Sequence, residues 1–408
     1  MRKPIVTIFY QFNPWVSSIG GIQTIIRSFL KYAPQEFDLR FVGTGTSNSS
    51  LGRWQEVEYA GRSLKFMPLI ALPDDNTRGV VPTTLKYTKA LLGCRFNSDF
   101  NHFHRLEPSL ASLNWSGDKT LFIHNDIKQQ IQAQTNKQTI LWQHCPHLYF
   151  ALESLLIRQF DHIFSCNSAS TKLYRELYPQ KANQVVNLKN AVDQEIFFPL
   201  NPQQRREKRE ALARELGLPN TTKFILFAGR IHPQKDPILL IRAFAALKEA
   251  NTHLLIAGDG DMVGEVNFEI GSCGLLQKVT MLGALSQARL AQLHQLSSLC
   301  VLTSLYEGLP VVVLEALSCG TPIVTTNCGE TPKLLTPEGG IVARERTPEA
   351  IAQALAQILQ HPEQYPVASC LRIAQPHGAS NVVREVYQNM WECWQQRLLS
   401  SPNPAFNN

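Results

Sequence analysis

Apolar and polar positions along the chain alternate in two successive series of strand-like and helix-like segments. The first series opens with an apolar strand at residues 5–9, followed by a glycine-containing loop. A helix is predicted next, because the following apolar positions share one helical face: Ile22, Ile25, Ile26, Phe29 and Leu30. Further strands are predicted at residues 38–43, 120–124, 138–143, 161–166 and 184–188. Strands that alternate with helical or loop segments predict a parallel sheet covered on both faces.

The pattern breaks at residues 199–222, where prolines flank a charged helical segment. We interpret this segment as a linker followed by a lead-in helix. Its RREKRE run has a net charge of +2 and no interleaved aromatic residues. This composition favours a solvated helix face over a nucleic-acid site.

The second series begins with a predicted strand at residues 223–228. The spacing of apolar positions predicts helices at 237–249 and 286–296, and strands at 253–257, 278–282, 299–303 and 323–326. The last predicted helix covers roughly residues 380–399. It carries an apolar stripe formed by Val383, Val386, Tyr387, Met390 and Trp394.

The two series predict two doubly wound α/β domains in tandem. With 408 residues, the chain is long enough for two separate cores of about 200 residues each. We expect one domain at residues 1–200, a second at 201–380, and a terminal helix with its tail at 381–408 that packs back on the first domain. Open α/β sheets bind ligands at the carboxyl ends of their strands, so we expect the site in the cleft between the domains.

Composition narrows the class of protein. Hydrophobic residues make up 44% and charged residues 18%, as in a globular chain. No apolar run reaches the about 18 residues that a membrane span needs, and the start of the chain soon turns polar, so no signal peptide is expected. The nine cysteines form no CxxC pair, which indicates reduced thiols and a cytoplasmic location.

The positive charge is confined to the first half. Residues 1–200 hold 21 Lys and Arg against 15 Asp and Glu, whereas residues 201–408 hold 18 of each kind. The excess is either surface scatter or a surface that meets something anionic, such as an acidic acceptor or the inner face of a membrane.

Two glutamates eight positions apart mark the stretch YEGLPVVVLEALSCGTPIVTT at residues 306–326. Pro310 suits the first turn of a helix and Gly320 its C-terminal cap. Glu307 then lies in the loop before a mostly apolar helix, and Glu315 lies inside it. Because the residues around Glu315 leave little solvent-facing surface, a functional role is favoured over a solvated helix position.

A strand-to-helix loop after residue 228 carries two cations, Arg230 and Lys235. Asp236 is placed to cap the next helix and Pro237 to begin it. Two fixed cations beside a helix amino end form a site suited to a diphosphate, although solvated loop cations are the alternative.

Three other features invite a functional reading. The GDGD run at residues 258–261 resembles a dinucleotide fingerprint, but position 263 is valine, and a turn is favoured over a metal site at Asp259 and Asp261. His124 and His144 each end a predicted strand. His144 is the better candidate to face the cleft.

These residues resemble the retaining GT-B glycosyltransferases of family 4, the glycosyl transferases group 1. The resemblance rests on Glu307 and Glu315, on Ala228-Gly-Arg230 with Lys235, and on weaker matches at Gly20-Gly21, 190–193, 198–199, 258–261 and 279–283. It covers nearly the whole chain and is weakest over residues 40–120. The loop Asn327-Cys-Gly-Glu-Thr-Pro-Lys333 departs from the family pattern, with one glycine fewer and a displaced acid.

The resemblance implies a GT-B fold with two Rossmann-like domains facing across a cleft, the first on the acceptor side and the second binding a nucleotide sugar. It implies a metal-independent, retaining transfer of the hexosyl type, without a cofactor, from a nucleotide-diphosphate sugar to a hydroxyl of a glycan, lipid-linked or small-molecule acceptor. The expected catalytic residues are Arg230, Lys235 and Glu307, together with His144, which is included because it ends a predicted strand that faces the expected cleft. The implied donor-binding residues are Glu315, Gly308, Leu309, Pro310, Gly20 and Gly21.

Two alternatives remain at this stage. One is a nucleotide-sugar epimerase or phosphorylase of the same fold. The other is a non-catalytic module that binds a nucleotide sugar.

Overall fold

The computed structural model describes residues 2–16, 20–72, 81–124 and 146–400, and their secondary structure forms two separate sheets. The strand predicted at 138–143 lies outside the described residues.

The first sheet has eight strands in the order β3-β4-β2-β1-β5-β6-β7-β8. All neighbouring pairs are parallel except β3 with β4, which is antiparallel. The strands are β1 Ile5–Phe9, β2 Asp38–Gly45, β3 Gln55–Tyr59, β4 Arg62–Ala71, β5 Phe100–Phe103, β6 Asp118–Ile123, β7 His162–Ser165 and β8 Val185–Asn187. The described helices between them are α1 Gly21–Lys31, α2 Thr83–Leu92, α3 Pro146–Leu156 and α4 Ser168–Leu177.

The second sheet has six parallel strands in the order β11-β10-β9-β12-β13-β14. They are β9 Lys223–Ala228, β10 Thr252–Ala257, β11 Val279–Gly283, β12 Leu299–Leu302, β13 Ile323–Thr325 and β14 Gly340–Val342. The helices are α5 Pro202–Glu215, α6 Pro237–Ala246, α7 Val263–Ser272, α8 Gln287–Leu296, α9 Val311–Ser318, α10 Thr331–Leu334, α11 Pro348–Gln360 and α12 Val367–Ala374. Counted from β9, the order is 3-2-1-4-5-6, the arrangement of a doubly wound nucleotide-binding sheet.

Local chemistry explains why these elements begin where they do. Asn167, Ser286 and Thr347 each cap a helix by accepting a hydrogen bond from a backbone N–H in its first turn. Strand β10 is buried along its whole length, as expected of a central strand covered by helices on both faces.

The predicted parallel sheet is confirmed, but one edge of the first sheet carries an antiparallel strand that the sequence did not predict. Strand β3 pairs antiparallel with β4 through the turn at Ala60 and Gly61, which both have positive φ. Its sequence, QEVEY, is nowhere fully buried, so it lacks the apolar run that identified the other strands.

The terminal helix, α13 Ala379–Ser400, packs on the first sheet although it follows the second in the chain. The predicted stripe is buried, and each of its five residues is at most 6% exposed. The Tyr387 hydroxyl donates to the Phe29 carbonyl of α1 at 3.2 Å, and the Tyr387 ring lies 5.1 Å from that of Phe37. None of the described helices, α13 included, is long and apolar enough to cross a membrane.

We expect Tyr387→Ala to lower the free energy of unfolding of the first domain by about 3–5 kcal/mol, because it removes a buried aromatic ring. Urea denaturation followed by tryptophan fluorescence measures this, since all six tryptophans lie within residues 1–200 or α13. Arg384→Ala, on the exposed face of the same helix, is the control. Equal midpoints for the two variants would show that α13 does not stabilise the first domain.

Candidate functional site at the strand-order reversal of the second sheet

The strand order of the second sheet reverses between β9 and β12, so the chain leaves these neighbouring strands toward opposite faces. Ligands of doubly wound sheets bind at such a point, outside the carboxyl ends of the strands. The loop after β9 carries Arg230 and Lys235, and the loop after β12 carries Glu307. The two sequence motifs therefore meet at one edge of one sheet.

Hydrogen bonds and an ion pair hold the loop after β9 in place. Asp236 caps α6 by accepting from the Leu239 N–H at 3.1 Å, and Pro237 begins that helix, as predicted. Asp236 has φ +44°, an unusual value for a residue other than glycine, and its carboxylate pairs with Arg346. The Thr303 hydroxyl lies within 2.8 Å of the Lys235 carbonyl and 3.0 Å of the Asp236 carbonyl. These contacts tie the loop to the end of β12.

Lys235 and Glu307 form an ion pair between the two loops. The Ser304 hydroxyl donates to the same Glu307 oxygen at 2.7 Å, and both charged side chains are largely buried. Arg230 lies on the same loop and is exposed. The structure thus joins Lys235 directly to the first glutamate of the predicted pair.

The GDGD run is a tight backbone turn. Gly258 and Gly260 have φ values of +150° and +159°, and a Cβ at either would overlap a carbonyl oxygen, of Gly229 and Ile231 respectively. The Ile231 N–H donates to the Asp259 carbonyl at 2.9 Å. The glycines let the turn after β10 support the loop that carries Arg230.

Helix α9 begins after Pro310, and Gly320, with φ +76°, follows its end, as predicted. Glu315 lies in the middle of it and is 5% exposed. Burial raises the pKa of the Glu315 carboxyl to about 8. The His294 imidazole of α8 lies 4.0 Å from the carboxylate, and burial lowers its pKa to about 3. The separation is at the limit for an ion pair, and because burial opposes ionisation of both groups, the pair is neutral at pH 7.

Three residues between the glutamates contact the first domain, namely Gly308, Leu309 and Val311. A Cβ at Gly308 would lie 3.1 Å from the His124 carbonyl oxygen. The Leu309 carbonyl accepts a hydrogen bond from the Asn190 side chain at 2.7 Å. Gly21, the first residue of α1, lies against Val311, the first residue of α9. Gly20 and Gly21 are therefore on the cleft side of the first domain, opposite the start of α9.

Three histidines gather at the carboxyl ends of β5 and β6. His104 Nδ1 lies 2.9 Å from His124 Nε2, and the His102 and His104 rings are 4.5 Å apart. Burial lowers the pKa of His102 and His124 to about 3. The favoured candidate, His144, lies outside the described residues, whereas His124, considered less favourable from sequence, lies against Gly308.

The loop that departs from the family pattern contacts the first domain. The Glu330 carboxylate accepts from the Ser168 N–H at 3.2 Å and from the Ser168 hydroxyl at 2.9 Å, at the start of α4. Lys333 lies 3.1 Å from both side chains. The Glu330 N–H also donates to the Gly308 carbonyl at 2.9 Å, so the displaced acid connects the Glu307 loop to the first domain.

One group within the described residues has the spacing of a metal site, and it lies away from the cleft. Asp118, His162 and Cys393 bring their ligand atoms within 4.8 Å of one another. Asp118 and His162 begin β6 and β7, at the sheet edge opposite the cleft, and Asp118 pairs with Arg397. The eight cysteines in the described part of the chain are free thiols.

Sequence comparison finds glycosyltransferases. Residues 208–368 match the sequence model of the family described as glycosyl transferases group 1. A D-inositol 3-phosphate glycosyltransferase of Nocardiopsis dassonvillei is 29% identical over 222 residues, which are 52% of this chain and 50% of that protein. The chain spans about half the length of the curated relatives it matches.

Structural comparison extends over nearly the whole chain. A sucrose-phosphate synthase of Thermosynechococcus elongatus superposes with a TM-score of 0.77 and 16% identity, covering 98% of this chain and all of that one. HepE of Anabaena, in complex with UDP-glucose, superposes with a TM-score of 0.71 and 16% identity, covering 95% of this chain and 99% of that one. These likenesses establish the fold. The chain has the GT-B architecture, two doubly wound Rossmann-like domains facing across a cleft.

We expect Gly258→Ala to destabilise the second domain by about 2–6 kcal/mol. The added Cβ would overlap the Gly229 carbonyl oxygen, and an alanine at this position would have a strained φ. Far-UV circular dichroism during urea denaturation measures the loss. Gly264→Ala, in α7 with open space around its Cα, should be neutral or slightly stabilising. If Gly258→Ala were as stable as Gly264→Ala, the close approach of the two turns would be refuted.

Proposed function

We propose that the protein is a retaining glycosyltransferase of family 4 that moves a sugar from a nucleotide-diphosphate donor to a hydroxyl acceptor. The observation that carries the proposal is the meeting of Lys235, Glu307 and the start of α9 at the strand-order reversal. The matched family segment, the glycosyltransferase relatives and the UDP-glucose bound to HepE support it.

The donor diphosphate would lie between the loop after β9 and the start of α9. Arg230 and Lys235 supply positive charge, and the first N–H groups of a helix lack intrahelical partners, so an anion is favoured there. Gly308, Leu309 and Pro310 bring the backbone close to the phosphates, and Gly20 and Gly21 would close the site from the first domain. Glu315 would accept the two ribose hydroxyls.

The chemical step breaks the bond between the anomeric carbon and the β-phosphate oxygen. The acceptor hydroxyl oxygen forms a new bond to the anomeric carbon, on the face of the sugar from which the diphosphate leaves. The hydroxyl proton passes to an oxygen of the leaving diphosphate. Arg230 and Lys235 stabilise the charge that develops on that diphosphate, and Glu307 holds the Lys235 ammonium in place. No protein nucleophile takes part. His144 would contact the sugar or the acceptor.

The acceptor would rest on the first domain. Helix α2 exposes Lys86, Lys89 and Leu92, and its Thr84 accepts a hydrogen bond from Gln11, just beyond the carboxyl end of β1. A basic surface with an exposed apolar side chain fits an acidic or lipid-linked acceptor, and peripheral contact with the inner membrane surface.

We expect Arg230→Ala and Lys235→Ala each to lower kcat roughly 100- to 1,000-fold, as the loss of one preorganised charge-stabilising group does. The measurement is release of nucleoside diphosphate from a donor and acceptor pair found by screening nucleotide sugars. Lys248→Ala is the control, because this exposed cation lies just before β10, at the opposite edge of the same sheet.

Two outcomes would count against this assignment. If Arg230→Ala and Lys235→Ala both turned over like Lys248→Ala, the diphosphate site would be elsewhere. If the donor were epimerised or cleaved by phosphate without any hydroxyl acceptor, the enzyme would belong to the alternative class of nucleotide-sugar enzymes.

Metal independence is a separate expectation. The two cations and the helix start can supply the charge that a divalent ion supplies in other transferases, so a chelator should leave kcat unchanged. A loss of activity that a divalent cation restores would contradict it and would favour Asp259 and Asp261 as ligands.

A further inference from the structure

His294 is a buried polar side chain with no hydrogen bond to either ring nitrogen within the described part of the chain. It is 0% exposed, in the last turn of α8, and its ring lies 6.1 Å from that of Phe197. A neutral imidazole carries one N–H and one acceptor nitrogen, and a buried N–H without a partner is costly. The arrangement therefore calls for an acceptor.

The Glu315 carboxyl can supply that acceptor, because its Oε2 lies 4.0 Å from His294 Nε2. The distance is about 1 Å longer than a hydrogen bond, so a small side-chain rotation would form one. Two other titratable groups lie near Glu315, the thiols of Cys300 on β12 and Cys319 at the end of α9. Burial raises the pKa of both thiols, so they stay neutral beside the carboxyl.

We propose that His294 is a positioning residue for Glu315, and that its Nε2–H supports the ionised carboxylate when a nucleotide ribose binds. The inference rests on the proposed ribose role of Glu315. The ribose hydroxyls would donate to Glu315 from the cleft side, and His294 would donate from the protein interior. The carboxylate then has donors on both sides, which only its ionised form can use fully.

Nucleotide binding is then coupled to the loss of one proton. In the empty site the pKa of Glu315 is about 8, so the carboxyl is mostly protonated at pH 7. Hydroxyl donors and the His294 N–H favour the ionised form and lower that pKa, and the proton leaves to solvent. A ligand that prefers the ionised form binds more tightly as the pH rises, until the pH passes the pKa of the empty site.

The test is calorimetric titration with the best-binding member of a panel of UDP-glucose, GDP-mannose and ADP-glucose, between pH 6 and 8.5. These probes are chosen because their diphosphate does not titrate in that range. For the unmodified protein we expect Kd to fall with rising pH, by at most tenfold per unit, and to level off near pH 8. Titration at pH 7 in two buffers of different ionisation enthalpy should show proton release.

Substitutions distinguish the role of His294 from that of Glu315. His294→Leu removes the donor and raises the pKa of Glu315 in the occupied site toward that of the empty site, so binding at pH 7 should weaken roughly tenfold and Kd should fall by a smaller factor between pH 6 and 8.5. His294→Gln keeps a neutral N–H donor and should restore both. Glu315→Gln cannot ionise, so its weaker binding should show no such pH dependence. Thermal melts establish that each variant is folded.

Each failure has a distinct signature. A Kd for the unmodified protein that is independent of pH, or a fall in Kd with pH that is the same in His294→Leu, would overturn the role of His294 while leaving the ribose site intact. If Glu315→Gln bound the nucleotide sugar as tightly as the unmodified protein, the ribose role itself would be wrong. If none of the three nucleotide sugars bound, the proposed function would fail.

Discussion

The ion pair between Lys235 and Glu307 joins the two halves of the strand-order reversal. One partner follows β9 and the other follows β12, so the pair holds together loops that leave the sheet toward opposite faces. Both side chains are largely buried, and removing either partner would leave an uncompensated charge. The loop after β12 also carries Ser304, which donates to Glu307, and Gly308, which contacts the first domain. The pair thus positions both residues and the start of α9.

Much of the second domain could be predicted from sequence because its strands are buried on both faces. Such strands read as short apolar runs, and β9, β10, β12 and β13 were predicted within two residues of their observed ends. The capping residues at 236 and 310 fixed the starts of α6 and α9 in the same way, since proline and a short polar side chain have specific backbone preferences. The apolar stripe of α13 could also be predicted, because its five residues share one helical face.

Other features depend on tertiary context and leave little trace in sequence. Strand β3 is an edge strand in which two glutamates alternate with uncharged residues, and β4 contains Lys65 and Pro68, so neither sequence resembles that of a buried strand. The motifs at 230–235 and 307–315 were each recognised, but nothing local showed that Lys235 pairs with Glu307, 72 residues away. His294 sits in QARLAQLHQL among ordinary helix formers, and only the packing of α8 against α9 makes it a neighbour of Glu315.

Helix α13 also affects the order in which the protein can fold. The core of the first domain includes Phe29 and Phe37 of the early chain together with Tyr387 and Trp394. Domains usually fold as units while the chain is being synthesised, the amino-terminal one first. Here the first sheet emerges long before the helix that covers it, and the whole second domain is made in between. During that interval the apolar face meant for α13 is exposed to water, so the domain made first is the last to complete its core.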